Sequence, residues 1–114
     1  MTKQVLCRVD DLSPSQPMIQ VNLDNYPPLA VYLTDGGEVF CTNDTCTHAE
    51  GSLSEGDLNG YRVECPFHGG AFDIRTGQPV DGPCYVPLKT YRIEVDSGEI
   101  LIVGALGEDG GLDA

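Results

Sequence analysis

Cys46-Thr47-His48 and Cys65-Pro66-Phe67-His68 are the stretches on which the reading of this 114-residue chain turns. As a pattern they run C-x-H, sixteen residues, C-x-x-H. Each stretch offers one thiolate and one imidazole, the two side chains that serve most readily as ligands to borderline and soft metals. The chain's only two histidines both lie here. Glycines follow each pair, Gly51 after the first and Gly69 and Gly70 after the second. They permit tight loops and a close approach of backbone amides to sulfur. Pro66 stiffens the second loop.

Outward from these stretches the chain reads as strands. Runs rich in β-branched and aromatic residues at 5–9, 18–23, 29–33, 38–42, 61–64, 71–73, 89–95 and 100–103 are cut by Gly, Pro, Asp and Asn. Tyr91-Arg92-Ile93-Glu94-Val95 alternates with the period of two expected of a half-buried strand. Asp35-Gly36-Gly37 and Asp96-Ser97-Gly98 are hairpin signals. A short helical turn fits 10–13. No stretch holds a helical period over three turns, so the expected class is all-β, a small antiparallel sandwich or barrel. The ligand motifs sit in a Gly- and Pro-rich insertion at about 42–87, within one domain spanning 1–103. Residues 104–114 hold four Gly and three acids and read as a flexible acidic tail.

Composition narrows the function. Eighteen acids against six bases give a net charge of −12. Such a chain is repelled by nucleic acid and by anionic membrane surfaces, and suits solubility or docking to a basic protein patch. The N-terminal stretch has no apolar run of signal-peptide or membrane-anchor type, which gives a cytoplasmic expectation. Five cysteines cannot all pair, and in a reducing compartment Cys–His spacing reads as metal binding. Cys7, Cys41 and Cys84 are expected to be small buried hydrophobes. Asp44 and Glu50 beside the first motif read as solvated acids, Arg62 and Arg75 as partners of local carboxylates, and the tyrosines as core or rim.

Three other readings of the four candidate ligands compete. A structural zinc site fits poorly, because the order Cys, His, Cys, His is not two cysteines followed by two histidines. A nucleophilic Cys–His pair leaves the second pair without a role. Coincidence leaves both unexplained.

The residues around the motifs carry a resemblance. Cys46-Thr47-His48 with Cys65-Pro66-Phe67-His68-Gly69-Gly70-Ala71-Phe72-Asp73 resembles Rieske iron–sulfur proteins, above all the small ferredoxins of bacterial aromatic-ring-hydroxylating dioxygenase systems. Asp44-Thr45, Leu53-Ser54-Glu55-Gly56, Arg75-Thr76-Gly77, Gly82-Pro83 and Pro87-Leu88 extend the likeness over nearly the whole chain. The resemblance implies a Rieske fold of three antiparallel sheets, with one [2Fe–2S] cluster at the tip of two loops under a proline-bearing cover. It implies Cys46 and Cys65 on one iron and His48 and His68 on the other, with the histidines as the electron exit. Gly51, Pro66, Phe67, Gly70 and Pro83 are the expected surroundings, Pro83 forming the cover.

Within that family the chain departs from the respiratory and photosynthetic subtype. Gly51 and Phe67 stand where that subtype has a disulfide, and Gly70 and Phe72 where it has a Ser and a Tyr bonded to cluster sulfur. Fewer donors leave the reduced state less stabilised, so the potential is expected near the low end of the Rieske range, roughly −150 mV. Two ferric ions, two sulfides and two thiolates sum to zero with neutral histidines, and reduction leaves −1. The implied function is one-electron transfer, as a monomer, from a flavin-dependent NAD(P)H reductase to a terminal oxygenase. No histidine remains for a 2-His-1-carboxylate iron site, so the chain is not itself expected to be an enzyme. Two alternatives stay open: a small subunit of a larger reductase, similar to that of nitrite reductase, and a structural metal-binding module.

Overall fold

The computed structural model describes residues 3–46, 51–66, 70–81 and 86–106. They form ten strands and two 3₁₀ turns, with no α-helix among them. The strands are β1 (Gln4–Arg8), β2 (Met18–Val21), β3 (Leu29–Leu33), β4 (Val39–Asn43), β5 (Asp57–Asn59), β6 (Arg62–Glu64), β7 (Ala71–Asp73), β8 (Pro79–Asp81), β9 (Thr90–Asp96) and β10 (Glu99–Leu106). The turns are Val9–Asp11 and Leu53–Glu55.

All pairing is antiparallel. One sheet has the order β1-β10-β9-β4-β3-β2, the other β5-β6-β7-β8. The six-stranded sheet is two three-stranded halves joined at a narrow seam, where β4 meets β9 through only Cys41–Tyr91 and Thr42–Thr90. With the small sheet, this gives the three antiparallel units expected of the family.

β3 explains how so short a chain fills two cores. Its sequence, Leu-Ala-Val-Tyr-Leu, is apolar at every position, as a strand covered on both faces must be. Leu29 and Val31 point into a core shared with Leu6, Leu12, Cys41, Tyr91, Ile100 and Ile102. Ala30 and Tyr32 point the other way, into a core shared with the small sheet. β3 is therefore the wall between the barrel-like base and the loop-bearing unit.

The segment between β4 and β9 leaves and re-enters the large sheet side by side, the Asn43 N–H donating to the Lys89 carbonyl at 3.0 Å. It contains the whole small sheet. Each of the eight expected strands is found, two of them (29–33 and 71–73) with the expected ends and the others with ends shifted by up to three residues. β5 and β8 are additional, each three residues long. β10 runs to Leu106, beyond the expected end at 103, because Thr90–Arg92 of β9 offer it partners there across an irregularity between Ile102 and Gly104. The expected helical turn occurs as the 3₁₀ turn, with Asp11 Oδ2 accepting the Arg8 N–H at 2.9 Å.

Candidate metal centre

The two motif loops are built alike. The first is rooted where β4 ends. Thr45 and Ser52 form an isolated antiparallel bridge, and one step further in the Cys46 N–H donates to the Gly51 carbonyl at 2.9 Å. The second is rooted on the small sheet. Glu64 of β6 pairs with Ala71 of β7, and one step further in the Cys65 N–H donates to the Gly70 carbonyl at 2.7 Å. In each case a strand-like stem ends in a cysteine whose amide closes on a buried glycine five residues later.

The closures point both cysteines into one place. Cys46 is 3% exposed and Cys65 2%, and both belong to the core of Tyr32, Leu53, Val63, Phe72, Ile74 and Leu88. Pro66 is exposed beside Cys65. His48, Phe67, His68 and Pro83 lie outside the described residues, as do Glu50 and Cys84. Among the described residues no group of three His, Cys, Asp or Glu forms. Each of the loops that the two cysteines root contains one histidine. The donor chemistry fits a two-thiolate, two-imidazole centre.

Two aromatic side chains share the core with the cysteines. Phe72, fully buried, fills the position where a tyrosine would bring a hydroxyl. Tyr32 shares that core, but its hydroxyl meets Thr42 Oγ1 at 2.8 Å, and Thr42 Oγ1 donates onward to the Asn43 carbonyl at 2.8 Å. The Tyr32 proton is therefore committed to Thr42. Burial pushes its pKa up. Cys41 is a buried thiol in the other core, its pKa raised by desolvation. Cys7 is only half-buried, against the expectation that it would be buried outright.

Asp44 overturns its expected role as a solvated acid. It is 1% exposed. Its Oδ2 accepts from Gln20 Nε2 at 2.7 Å and from the Ser52 hydroxyl, and its Oδ1 accepts the Ser54 N–H at 2.8 Å. Its own backbone bonds Pro28 and Leu53. The residue ties the first loop to β2 and to the 3₁₀ turn after it. Sequence reasoning missed this. The available trace was the pair of small hydroxyl residues, Ser52 and Ser54, flanking the apolar Leu53.

Arg75 and Arg62 meet carboxylates as expected, Asp73 at 2.8 Å and Glu64 at 3.9 Å. Arg75 also lies over the Tyr61 ring, 4.0 Å from its centroid, and the Tyr61 hydroxyl donates to Glu38. Tyr61 packs edge-on to Phe40 of β4, so this array fastens the small sheet to the large one.

Two cysteines presented by equivalent loops into one core of an antiparallel domain are an arrangement suited to binding a metal centre. The sequence profile of the Rieske [2Fe-2S] domain matches residues 2–92, and the chain belongs to that family. It carries a Rieske-type [2Fe–2S] centre. Ferredoxin CarAc of Metapseudomonas resinovorans is 46% identical over 99 residues, covering 87% of this chain and 91% of that protein. The ferredoxin component of the p-cumate 2,3-dioxygenase system of Pseudomonas putida is 45% identical, covering 88% and 85%. Among solved structures, a chain in the complex of reduced oxygenase and oxidized ferredoxin in carbazole 1,9a-dioxygenase aligns with a TM-score of 0.81 at 44% identity, covering 90% and 93%. A nitrite reductase small subunit from Mycobacterium tuberculosis aligns with a TM-score of 0.74 at 25% identity, covering 89% and 93%. No helix among the described residues is long and apolar enough to cross a membrane.

Proposed function

We propose that the chain is a one-electron carrier that takes electrons from a flavin-dependent NAD(P)H reductase and delivers them to a terminal oxygenase of an aromatic-ring-hydroxylating system. The observation that carries this reading is the matched closure of the two loops, Cys46 on Gly51 and Cys65 on Gly70, with both cysteines in one buried core. Cys46 and Cys65 would hold one iron, and His48 and His68 the other. When bound, a [2Fe–2S] cluster takes up and releases a single electron and carries out no bond chemistry on a substrate. Oxidation of the aromatic compound then takes place on the partner oxygenase. The ferredoxin relatives, at 45–46% identity, support the carrier over a reductase subunit, whose solved relative is at 25%.

The protein's own contribution is to hold the two loops still and to keep the potential low. Phe72 offers no hydroxyl and that of Tyr32 is spent on Thr42. The same reading makes the protein a monomeric domain of the cytoplasm, where thiolate ligands stay reduced.

The test is anaerobic reduction of the purified protein followed by EPR and potentiometry. A Rieske signal at low potential is expected, lost in His48→Ala and in His68→Ala. A normal visible and EPR spectrum in either variant would overturn the ligand set. A potential near the upper end of the family range would overturn the argument from Phe72 and Tyr32. Electron delivery is read separately, by reoxidation of the reduced protein on mixing with a terminal oxygenase.

A further inference from the structure

We propose that Asp44 is a fixed buried anion that holds the reduction potential of the adjoining metal centre down. The inference rests on the reading of Cys46 as a cluster ligand. Both Asp44 oxygens accept hydrogen bonds, Oδ1 from the Ser54 amide and Oδ2 from the Gln20 amide and the Ser52 hydroxyl. With donors facing both oxygens, both serve here as acceptors. All three donors are neutral, and no lysine or arginine among the described residues pairs with it. The negative charge is therefore spread over three dipoles but not cancelled.

A buried carboxylate without a cation is costly. Its position gives the charge a consequence. Asp44 lies two residues before Cys46, and the serine it holds follows Gly51, the residue on which the Cys46 amide closes. Reduction of a centre with two thiolates and two neutral imidazoles changes its net charge from zero to −1. A fixed negative charge behind the Cys46 loop repels the added electron and leaves the oxidised state untouched in net charge. Because the carboxylate is 1% exposed, salt does not screen it as it screens the acidic surface. Asp44 thus acts through Cys46 as a tuning residue, in the same direction as the missing hydroxyl donors.

The experiment is potentiometry of the holoprotein at low and high ionic strength. Asp44→Asn is expected to raise the midpoint potential with the visible and EPR spectra retained. Gln20→Lys provides a second arm that leaves the residues of the loop itself unaltered. Gln20 is an exposed residue of β2 whose amide already touches Asp44 Oδ2, so a lysine there brings a cation to the carboxylate. It is expected to shift the potential upward as well, and both shifts are expected to persist at high salt. Ser52→Ala removes a donor and keeps the charge, and is expected to leave the potential unchanged or lower it. If Asp44→Asn fails to hold its cluster, Gln20→Lys alone decides. An unmoved potential in Gln20→Lys with an intact spectrum would overturn the inference, as would an upward shift in Ser52→Ala equal to that of Asp44→Asn. Absence of a Rieske chromophore in the unaltered protein would instead overturn the ligand reading beneath it.

Discussion

Gly56 is the position where one added carbon tests how the Cys65 loop is held. It follows the 3₁₀ turn Leu53–Glu55, with its N–H on the Leu53 carbonyl at 2.9 Å, and leads into β5. Its φ of −90° lies outside the left-handed region that favours glycine. Space is the obstacle. A Cβ at Gly56 would fall 1.9 Å from the Glu64 carbonyl oxygen, 3.1 Å from its carbon and 3.3 Å from the Leu53 oxygen. Reaching the 3.0 Å that real Cβ atoms keep requires a relative shift of at least 1.1 Å, the difference 3.0 − 1.9. No side chain can give way, because all three atoms are backbone. Glu64 is pinned on both sides, by Asp57 of β5 and Ala71 of β7, and the next residue is Cys65. Overpacking usually costs about 1–3 kcal/mol, and a backbone obstacle puts Gly56→Ala at the upper end. For a domain of this size that lowers the melting temperature by roughly 12–24 °C. The displacement is passed to Cys65, so iron content falls as well. Gly36→Ala is the control, since nothing lies within 4 Å of its Cβ and its φ is not positive. Thermal melts by circular dichroism and iron per chain are the measurements. Gly56→Ala with full iron and a melting temperature within about 4 °C of wild type would refute the reasoning.

Two further outcomes follow from the titrating groups. The Arg75 guanidinium, bonded to Asp73 at 2.8 and 3.1 Å, holds the Asp73 carboxyl below its ordinary range. A pKa lower in the folded state means that the stabilisation is complete above the ordinary carboxyl range and is lost as pH falls through the folded value. Arg75→Gln should therefore lower the melting temperature at pH 7, by less than Gly56→Ala does, and the gap should narrow below pH 4. A gap that stays constant down to pH 3 would contradict this. Burial, with a smaller contribution from Asp11, pushes the half-buried Cys7 thiol up to about 11. Its alkylation by iodoacetamide, followed by peptide mass, should be slow at pH 8 and accelerate only toward that value; rapid labelling at pH 8 would count against it.

Much of the fold was legible because strand periodicity is local. The fully apolar 29–33 run declared its burial, and the alternating 89–95 run did so at Tyr91 and Ile93 but not at Val95, which is exposed. β5 and β8 were not legible for a physical reason. Asp57-Leu58-Asn59 and Pro79-Val80-Asp81 have weak strand character of their own, and become strands because β6 and β7 present unpaired edges to them. One signal was available and unread. Asn59 and Arg62 pair across a two-residue turn opened by Gly60 at φ +62°, and glycine first in such a turn is a hairpin mark. At the centre, spacing gave the four ligand candidates, and the surroundings of the cysteines needed the fold. The equal closures were present in the sequence as Cys-x₄-Gly, once at 46–51 and once at 65–70. Asp44 was illegible because the burial of a single acid depends on the donors that long-range folding brings to it. Gln20, for one, lies twenty-four residues away.

The equivalence of the two loops also bears on why so small a domain suffices. An electron carrier works best when its site is held in one geometry by its supports rather than assembled on demand. The first loop is tied to β2 and to the end of β3 through Gln20 and Pro28, both bonded to Asp44. The second is tied to the centre of the small sheet through Glu64 and Ala71. The two anchorages are independent in sequence and meet in the core of Tyr32, Leu53 and Phe72. The Phe40–Tyr61–Arg75 stack then limits how far one sheet can move against the other. On the proposed reading two features of this arrangement depress the potential for separate reasons. Phe72 offers no hydroxyl and that of Tyr32 is bonded to Thr42, while Asp44 adds a charge two residues from Cys46. The first acts by omission and can be altered by introducing a hydroxyl, as in Phe72→Tyr. The second acts through a buried charge and can be altered from the exposed face of β2. Since the two act at different atoms with no shared partner, their effects on the potential should add when the changes are combined.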